Sequence, residues 1–127
     1  MRDFLITLSH RPGELADVTN ALSLQGVNIK SLAAIHFEHQ ALVRIIPDDV
    51  DAARSAFRSA NIRFEEKELA TVLLENQAGE LTGVLAKLSD AGLNLDAIYV
   101  VGVADDLLEL AIATDDVKKA KRALALD

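Results

Sequence analysis

The apolar residues of this chain fall in two rhythms, and the two rhythms come twice. Phe4 to Leu8 is a short run of β-forming residues and predicts a strand. Pro12-Gly13 punctuates it. Leu15, Val18 and Leu22 then recur at helical spacing, and Gly26 suits the left-handed residue that closes a helix. Val27-Asn28-Ile29 opens a second strand, which runs to about Phe37. A hairpin through Glu38-His39-Gln40 leads into a third, where Ala41, Val43 and Ile45 alternate. Asp49 stands where an N-cap would start a helix carrying Val50, Ala53 and Phe57. Ile62 to Glu66 predicts a closing strand. The order βαββαβ is the ferredoxin-like split βαβ.

The second half repeats the first. Arg11–Ile35 aligns with Gln77–Val101 with eight identities in 25 pairs: Gly13/Gly79, Glu14/Glu80, Leu15/Leu81, Val18/Val84, Leu22/Leu88, Ser23/Ser89, Gly26/Gly92 and Asn28/Asn94. After a one-residue slip, Asp48-Asp49-Val50 is echoed by Asp115-Asp116-Val117. Strands are therefore expected over Ala70–Leu74, from Leu93 to about Val103, and through Leu108, Leu110 and Ile112. A last helix is expected to carry Val117, Ala120 and Leu124. The sequence ends at Asp127, so the second copy lacks its closing strand, and an unpaired edge is expected at residues 69–75. The fold class read from this pattern is α+β: two ferredoxin-like units, over residues 1–68 and 69–127, the second short of its last strand. Between Ala60 and Asn76 there is no Gly or Pro, and no linker is recognisable.

Composition narrows the function. Half of the 127 residues are hydrophobic and few are aromatic, so the core is expected to be aliphatic. The net charge of −7 opposes a phosphate backbone and argues against nucleic-acid binding. The one basic cluster, Lys118, Lys119, Lys121 and Arg122, reads as a solvated helix end. There are no cysteines, which excludes disulfides and thiolate metal sites. No apolar run has membrane-spanning length, and a cytoplasmic protein without membrane partners is expected. His36 and His39 form H-x-x-H, too few ligands for a closed metal site, so no metal or other cofactor is expected.

The repeated stretch lies where a strand hands over to a helix. A helix start leaves backbone N–H groups without partners and carries partial positive charge. A glycine lets a ligand approach that backbone. The amides of Gly13, Glu14 and Leu15, and of Gly79, Glu80 and Leu81, are thus candidate carboxylate donors. The side chains of Glu14 and Glu80 read as partners of the helix dipole. Polar residues flank each loop: His10 and Asn76 before it, Asn28 and Asn94 after the helix. An asparagine offers both donor and acceptor, which suits an α-carboxylate and α-ammonium pair, but asparagine is also an ordinary turn former.

The motif His10-Arg11-Pro12-Gly13-Glu14-Leu15 followed by Gly26-Val27-Asn28-Ile29 resembles the ACT domain, a small regulatory amino-acid-binding module. Asn76-Gln77-Ala78-Gly79-Glu80-Leu81 with Gly92-Leu93-Asn94-Leu95 resembles it again. The resemblance covers essentially the whole chain, as a tandem pair with no catalytic domain. It implies a site at His10 and Asn28 in one unit and at Asn76 and Asn94 in the other, with Ile29 and Leu95 beside the asparagines. It also implies a free amino acid held between units, a homodimer and a regulated metabolic enzyme as partner. Two departures stand out. His10 replaces a more usual amide, and Ala78 replaces the loop proline. Against this non-catalytic reading stand a ligand-free assembly module that pairs sheets edge to edge, and an acylphosphatase-like enzyme using Arg11 and Asn28. The enzyme lacks support, because the loop has no glycine-rich phosphate cradle and Glu14 would repel phosphate.

Overall fold

A computed structural model describes residues 1–125; Leu126 and Asp127, the expected end of the second unit, lie outside the described residues. Eleven elements follow in the order β1 (Arg2–Ser9), α1 (Glu14–Leu24), β2 (Ile29–Phe37), β3 (Gln40–Pro47), α2 (Val50–Ser59), β4 (Glu65–Glu68), β5 (Ala70–Glu75), α3 (Glu80–Asp90), β6 (Leu95–Ala104), β7 (Leu107–Thr114) and α4 (Val117–Ala125). They form two compact units, one over Arg2–Lys67 and one running from Glu68 together with Met1. The fold is α+β, with two ferredoxin-like units, as the pattern of the sequence predicts.

In the first unit the sheet order is β2-β3-β1-β4. Strands β1 and β3 run antiparallel with Phe4 opposite Ile45, Ile6 opposite Val43 and Leu8 opposite Ala41. Because side chains alternate across a strand, this register puts all six on one face. Phe4, Ile6, Val43 and Ile45 there meet Val18 and Leu22 of α1 and Ala53 and Phe57 of α2 in one buried cluster. Three aromatics close it: the Phe4, Phe57 and Phe64 rings lie 5.2–5.7 Å apart, centroid to centroid. Such pairs add to area burial through edge-to-face attraction.

In the second unit the order is β5-β7-β6. Ala70, Leu74, Val84, Leu88, Leu110, Ile112 and Ala120 form its core, with Val117 and Leu124 packed against it. It holds no aromatic ring, because Ala70 and Leu124 stand where the first unit has Phe4 and Phe57. Among the described residues β7 is the one strand that β5 pairs with, so β5 is an edge, as expected from the shortened repeat.

The helix boundaries follow their capping residues. Asp49 accepts a hydrogen bond from the Ala52 amide at 3.0 Å, and Asp116 one from Lys119 at 3.0 Å. Gly26 and Gly92 adopt φ of 70° and 73°, the left-handed turn at which α1 and α3 end. The hairpins turn on Glu38 (φ 57°) and Asp105 (φ 52°).

Two expectations are corrected. The closing strand of the first unit is Glu65–Glu68, not Ile62–Glu66. Asn61 turns left-handed at φ 57° and the Ile62 amide caps α2 by bonding the Phe57 carbonyl at 2.9 Å. Ile62 and Phe64 are apolar because they pack against the core, and sheet pairing begins only after them. The second strands likewise begin at Ile29 and Leu95. Val27 is 6% exposed and its amide still bonds Leu22 of α1, so it ends the helix cap.

Candidate functional site

The site expected at each strand-to-helix junction is built on one backbone conformation, used twice. Gly13 precedes α1 with φ 90°, ψ −16°, and Gly79 precedes α3 with φ 90°, ψ −17°. Side chains rarely adopt this conformation, and a Cβ at either position would meet nothing within 4 Å, so backbone preference and not crowding asks for glycine. Neither helix start has a side-chain cap. The first-turn amides of α1 are therefore left to solvent or to a ligand, whereas at α3 the Glu80 amide already bonds the Gln77 carbonyl at 3.3 Å.

Each loop is tied to the tip of the neighbouring hairpin. The His10 amide bonds the His39 carbonyl at 3.1 Å, and the Asn76 amide bonds the Asp106 carbonyl at 2.6 Å. Each loop then doubles back on itself, from the Arg11 amide to Ser9 and from the Gln77 amide to Glu75, both at 2.9 Å. These bonds fix the first loop without using its helix start; in the second loop the Glu80 amide, at the start of α3, also bonds back to the Gln77 carbonyl at 3.3 Å.

The side chains differ. In the first unit the His10 and His36 rings stack with centroids 3.7 Å apart and planes within 10°. Leu8 and His36 both stand opposite Ala41, from β1 and β2 on either side of β3, which brings the loop and β2 together. His36 also bonds the Glu38 carbonyl through Nε2. Arg11 pairs with Glu14 at 3.0 Å. These residues, with Leu15, Ala34 and Ile35, line a cavity of about 250 Å³. In the second unit Val103 stands opposite Leu108, where His36 stands opposite Ala41, and no ring meets Asn76 there. Leu81 is 45% exposed, whereas Leu15 packs on the core. Glu80 turns to a different cavity, with Val84 and Leu124.

The asparagines lie at the start of β2 and β6, away from these loops. Asn28 and Ile29 line an open hollow of about 890 Å³ beside α1 with Asp17, Asn20 and Gly26, and His10 takes no part in it. The expected residues of one unit thus fall into two places: His10, Gly13, Glu14 and Leu15 at the loop, Asn28 and Ile29 at the far end of the helix. Asn76, Gly79, Glu80 and Leu81 are likewise separated from Asn94 and Leu95 by the length of α3.

Sequence reasoning passed over the residues that hold the asparagines. Asp48 accepts from the Asn28 amide at 3.0 Å, and its own amide bonds the Asn28 carbonyl at 2.9 Å. Asp115 does the same for Asn94, at 3.2 and 3.4 Å, and also takes the Asn94 side-chain amide at 3.4 Å. The signal was present in the echoed Asp-Asp-Val, but only the second aspartate of each pair was given a role. His36 was read with His39 as a pair on one strand; its partner in the fold is His10. Among the described residues no group of three or more His, Asp or Glu could hold a metal ion.

Known structures share this architecture. A protein from Bacteroides thetaiotaomicron superposes with a TM-score of 0.88 at 22% identity, over 98% of this chain and 86% of that one. The ligand-free regulatory subunit of aspartate kinase from Thermus thermophilus superposes at 0.64 and 17% identity, over 98% and 90%. That from Thermus flavus does so at 0.62 and 18%, over 98% and 90%. The fold is ACT-like. No protein-family model and no curated protein matches the chain. No helix among the described residues is long and apolar enough to cross a membrane.

Proposed function

We propose that this chain is a non-catalytic regulatory module whose two ACT-like domains, residues 1–68 and 69–127, bind a small carboxylate-bearing ligand, a free amino acid. The observation that carries this is the doubled helix start: a left-handed glycine and no side-chain cap in both units, with the first-turn amides of α1 unused by the bonds that hold its loop. The likeness in fold to regulatory subunits of aspartate kinase supports the reading.

Within one unit the loop and the asparagine stand at opposite ends of a helix, so a ligand reaching both takes them from different copies of the motif. A second chain supplies such a copy, and a cytoplasmic homodimer that passes binding on to a metabolic enzyme is the working form we propose. Coupling of about 1–3 kcal/mol between ligand and assembly would be ordinary for such a device.

Titration calorimetry against the twenty amino acids tests the proposal. Saturable heat and a thermal shift with one or a few of them are expected, both lost in the double variant Asn28→Ala with Asn94→Ala. No heat and no shift with any of the twenty would sink the ligand reading. An unchanged oligomer alongside that result would favour the assembly module.

A further inference from the structure

The loop cavity of the first unit holds an unanswered carboxylate. Glu14 opens α1 and lines the cavity of about 250 Å³. Its Oε1 is taken by Arg11 at 3.0 Å, and the Arg11 side chain is itself 72% exposed. Its Oε2 is buried from solvent and has no hydrogen-bond partner among the described residues. A buried carboxylate oxygen without a donor is costly. On a cavity wall, such an atom is a place for a donor that the fold does not supply.

The other walls narrow what that donor belongs to. Leu8 and His36 both stand opposite Ala41, and Ala34 lies two residues before His36. By alternation all four project to the face that carries the core, where Leu15 of α1 meets them. Ser9 and Ile35 also line the cavity, but they alternate to the other face and reach it along the main chain. Besides Glu14, the polar side chains on the cavity are His10, Arg11 and His36. The two rings are stacked on each other, His36 Nε2 is engaged with the Glu38 carbonyl, and the Arg11 guanidinium is engaged with Oε1. What remains is an aliphatic wall of Leu8, Leu15, Ala34 and Ala41 beside one open carboxylate oxygen. The volume lies below the about 300–1,000 Å³ of sites for drug-sized ligands, and suits a molecule the size of one amino acid. The second unit does not repeat this arrangement: Glu80 shares its cavity with a cation, Lys87.

We infer that the cavity of the first unit selects an α-amino acid with an aliphatic side chain, and that Glu14 is the selecting residue, its Oε2 accepting a hydrogen bond from the ligand's α-ammonium. This rests on the reading that the chain binds a free amino acid, and it names the class of amino acid and the residue that recognises it. The ammonium brings the donor that Oε2 lacks, as a charge-assisted bond. The aliphatic side chain lies against Leu8, Leu15, Ala34 and Ala41. A carboxylate that carries no ammonium meets the Glu14 charge unrelieved, so the same atom rejects simple carboxylic acids. A charged side chain is left unpaired against the apolar wall.

Titration calorimetry and amide shifts of the isotope-labelled full chain test the inference. Leucine, isoleucine, valine and methionine should bind and move the amides of residues 10–15 and 34–36. Aspartate, glutamate and lysine should bind at least about tenfold more weakly. So should 4-methylpentanoate, which is leucine without its ammonium. Glu14→Gln should bring leucine down to the level of 4-methylpentanoate and leave 4-methylpentanoate no weaker, a coupling that a merely structural role for Glu14 would not produce. Ala34→Leu, at an exposed position on an edge strand, fills the cavity and should weaken leucine binding at least about tenfold with the fold intact. The inference is overturned if the Glu14→Gln chain binds leucine as the native chain does, if charged amino acids bind as well as aliphatic ones, or if bound leucine leaves the amides of residues 10–15 unmoved. Each of those results leaves amino-acid binding itself standing, whereas no heat with any amino acid removes both.

Discussion

The loop at His10 and the loop at Asn76 have the same backbone and different chemistry. Their glycines agree within a degree in φ and ψ. Both are tied to a hairpin by the amide of the residue three before the glycine, and both lead into helices of 11 residues. Yet one loop carries a stacked histidine pair and an Arg11–Glu14 ion pair, and the other has neither of these. At the far end of the helix the contrast continues: Asp115 engages both the main chain and the side chain of Asn94, while the Asp48 carboxylate and amide take the main chain of Asn28. What duplication preserves is the part specified by glycine and main-chain bonds. The part made of side chains is free to diverge, so the two units need not recognise the same molecule.

The units also differ in their cores, and truncation there should give the largest effect. Phe57→Ala removes a fully buried ring from an aromatic cluster and is expected to cost about 3–5 kcal/mol. Leu124→Ala, at the equivalent but half-buried place, is expected to cost no more than about 2 kcal/mol. Urea unfolding of both variants measures this, and equal costs would break the contrast. The next test asks for equality. Gly13→Ala and Gly79→Ala each force a side chain into the same left-handed backbone with open space around it. Each should cost about 1–2 kcal/mol, and by the same amount within error. Unequal costs would show that the two loops are not one backbone used twice. Smaller again are Asp48→Ala and Asp115→Ala, each expected to lose about 1 kcal/mol and to speed exchange of the Asn28 or Asn94 amide. If neither amide speeds up, the aspartates do not hold the asparagines.

The sequence made the repeated order of elements legible because the signals there are local: glycines at turns, apolar residues at helical spacing, aspartates at caps. An edge at β5 was expected from the repeat, and among the described residues β7 is its one neighbour. What the sequence hid is what depends on distant partners. Ile62 and Phe64 looked like a strand because burial and sheet pairing leave the same apolar mark. His36 was matched with His39, three residues away, because the stack on His10 exists only once β1 and β2 flank β3. Asp48 sits 20 residues from the asparagine it holds. Its repetition at Asp115 was visible, but a repeat shows that a residue is retained and not what it touches. The candidate site was legible as a loop and an asparagine; that one helix separates them within a unit required the fold.

The smallest effect we expect separates the units by pH. Two hydrogen bonds from Arg54 hold the Glu66 carboxyl below its ordinary value of 4.5; their attraction outweighs burial, which acts the other way. In the unfolded chain the Arg54 contact is lost, and Glu66 binds a proton more readily. The contribution to stability is therefore complete above the ordinary glutamate value and is lost as pH falls through the lower, folded value. Glu66→Gln should flatten this part of the acid limb of a stability-against-pH curve, with the change confined below about pH 4.5. Glu68→Gln, whose partner is Lys121 of α4, is the control. Its partner Lys121 is 49% exposed and Glu68 itself 41%, so water and salt screen the pair. Breaking this screened pair should cost less stability at neutral pH than breaking the bidentate Arg54 pair. Equal losses in the two variants would mean that the Lys121 pair is as firmly held as the Arg54 pair.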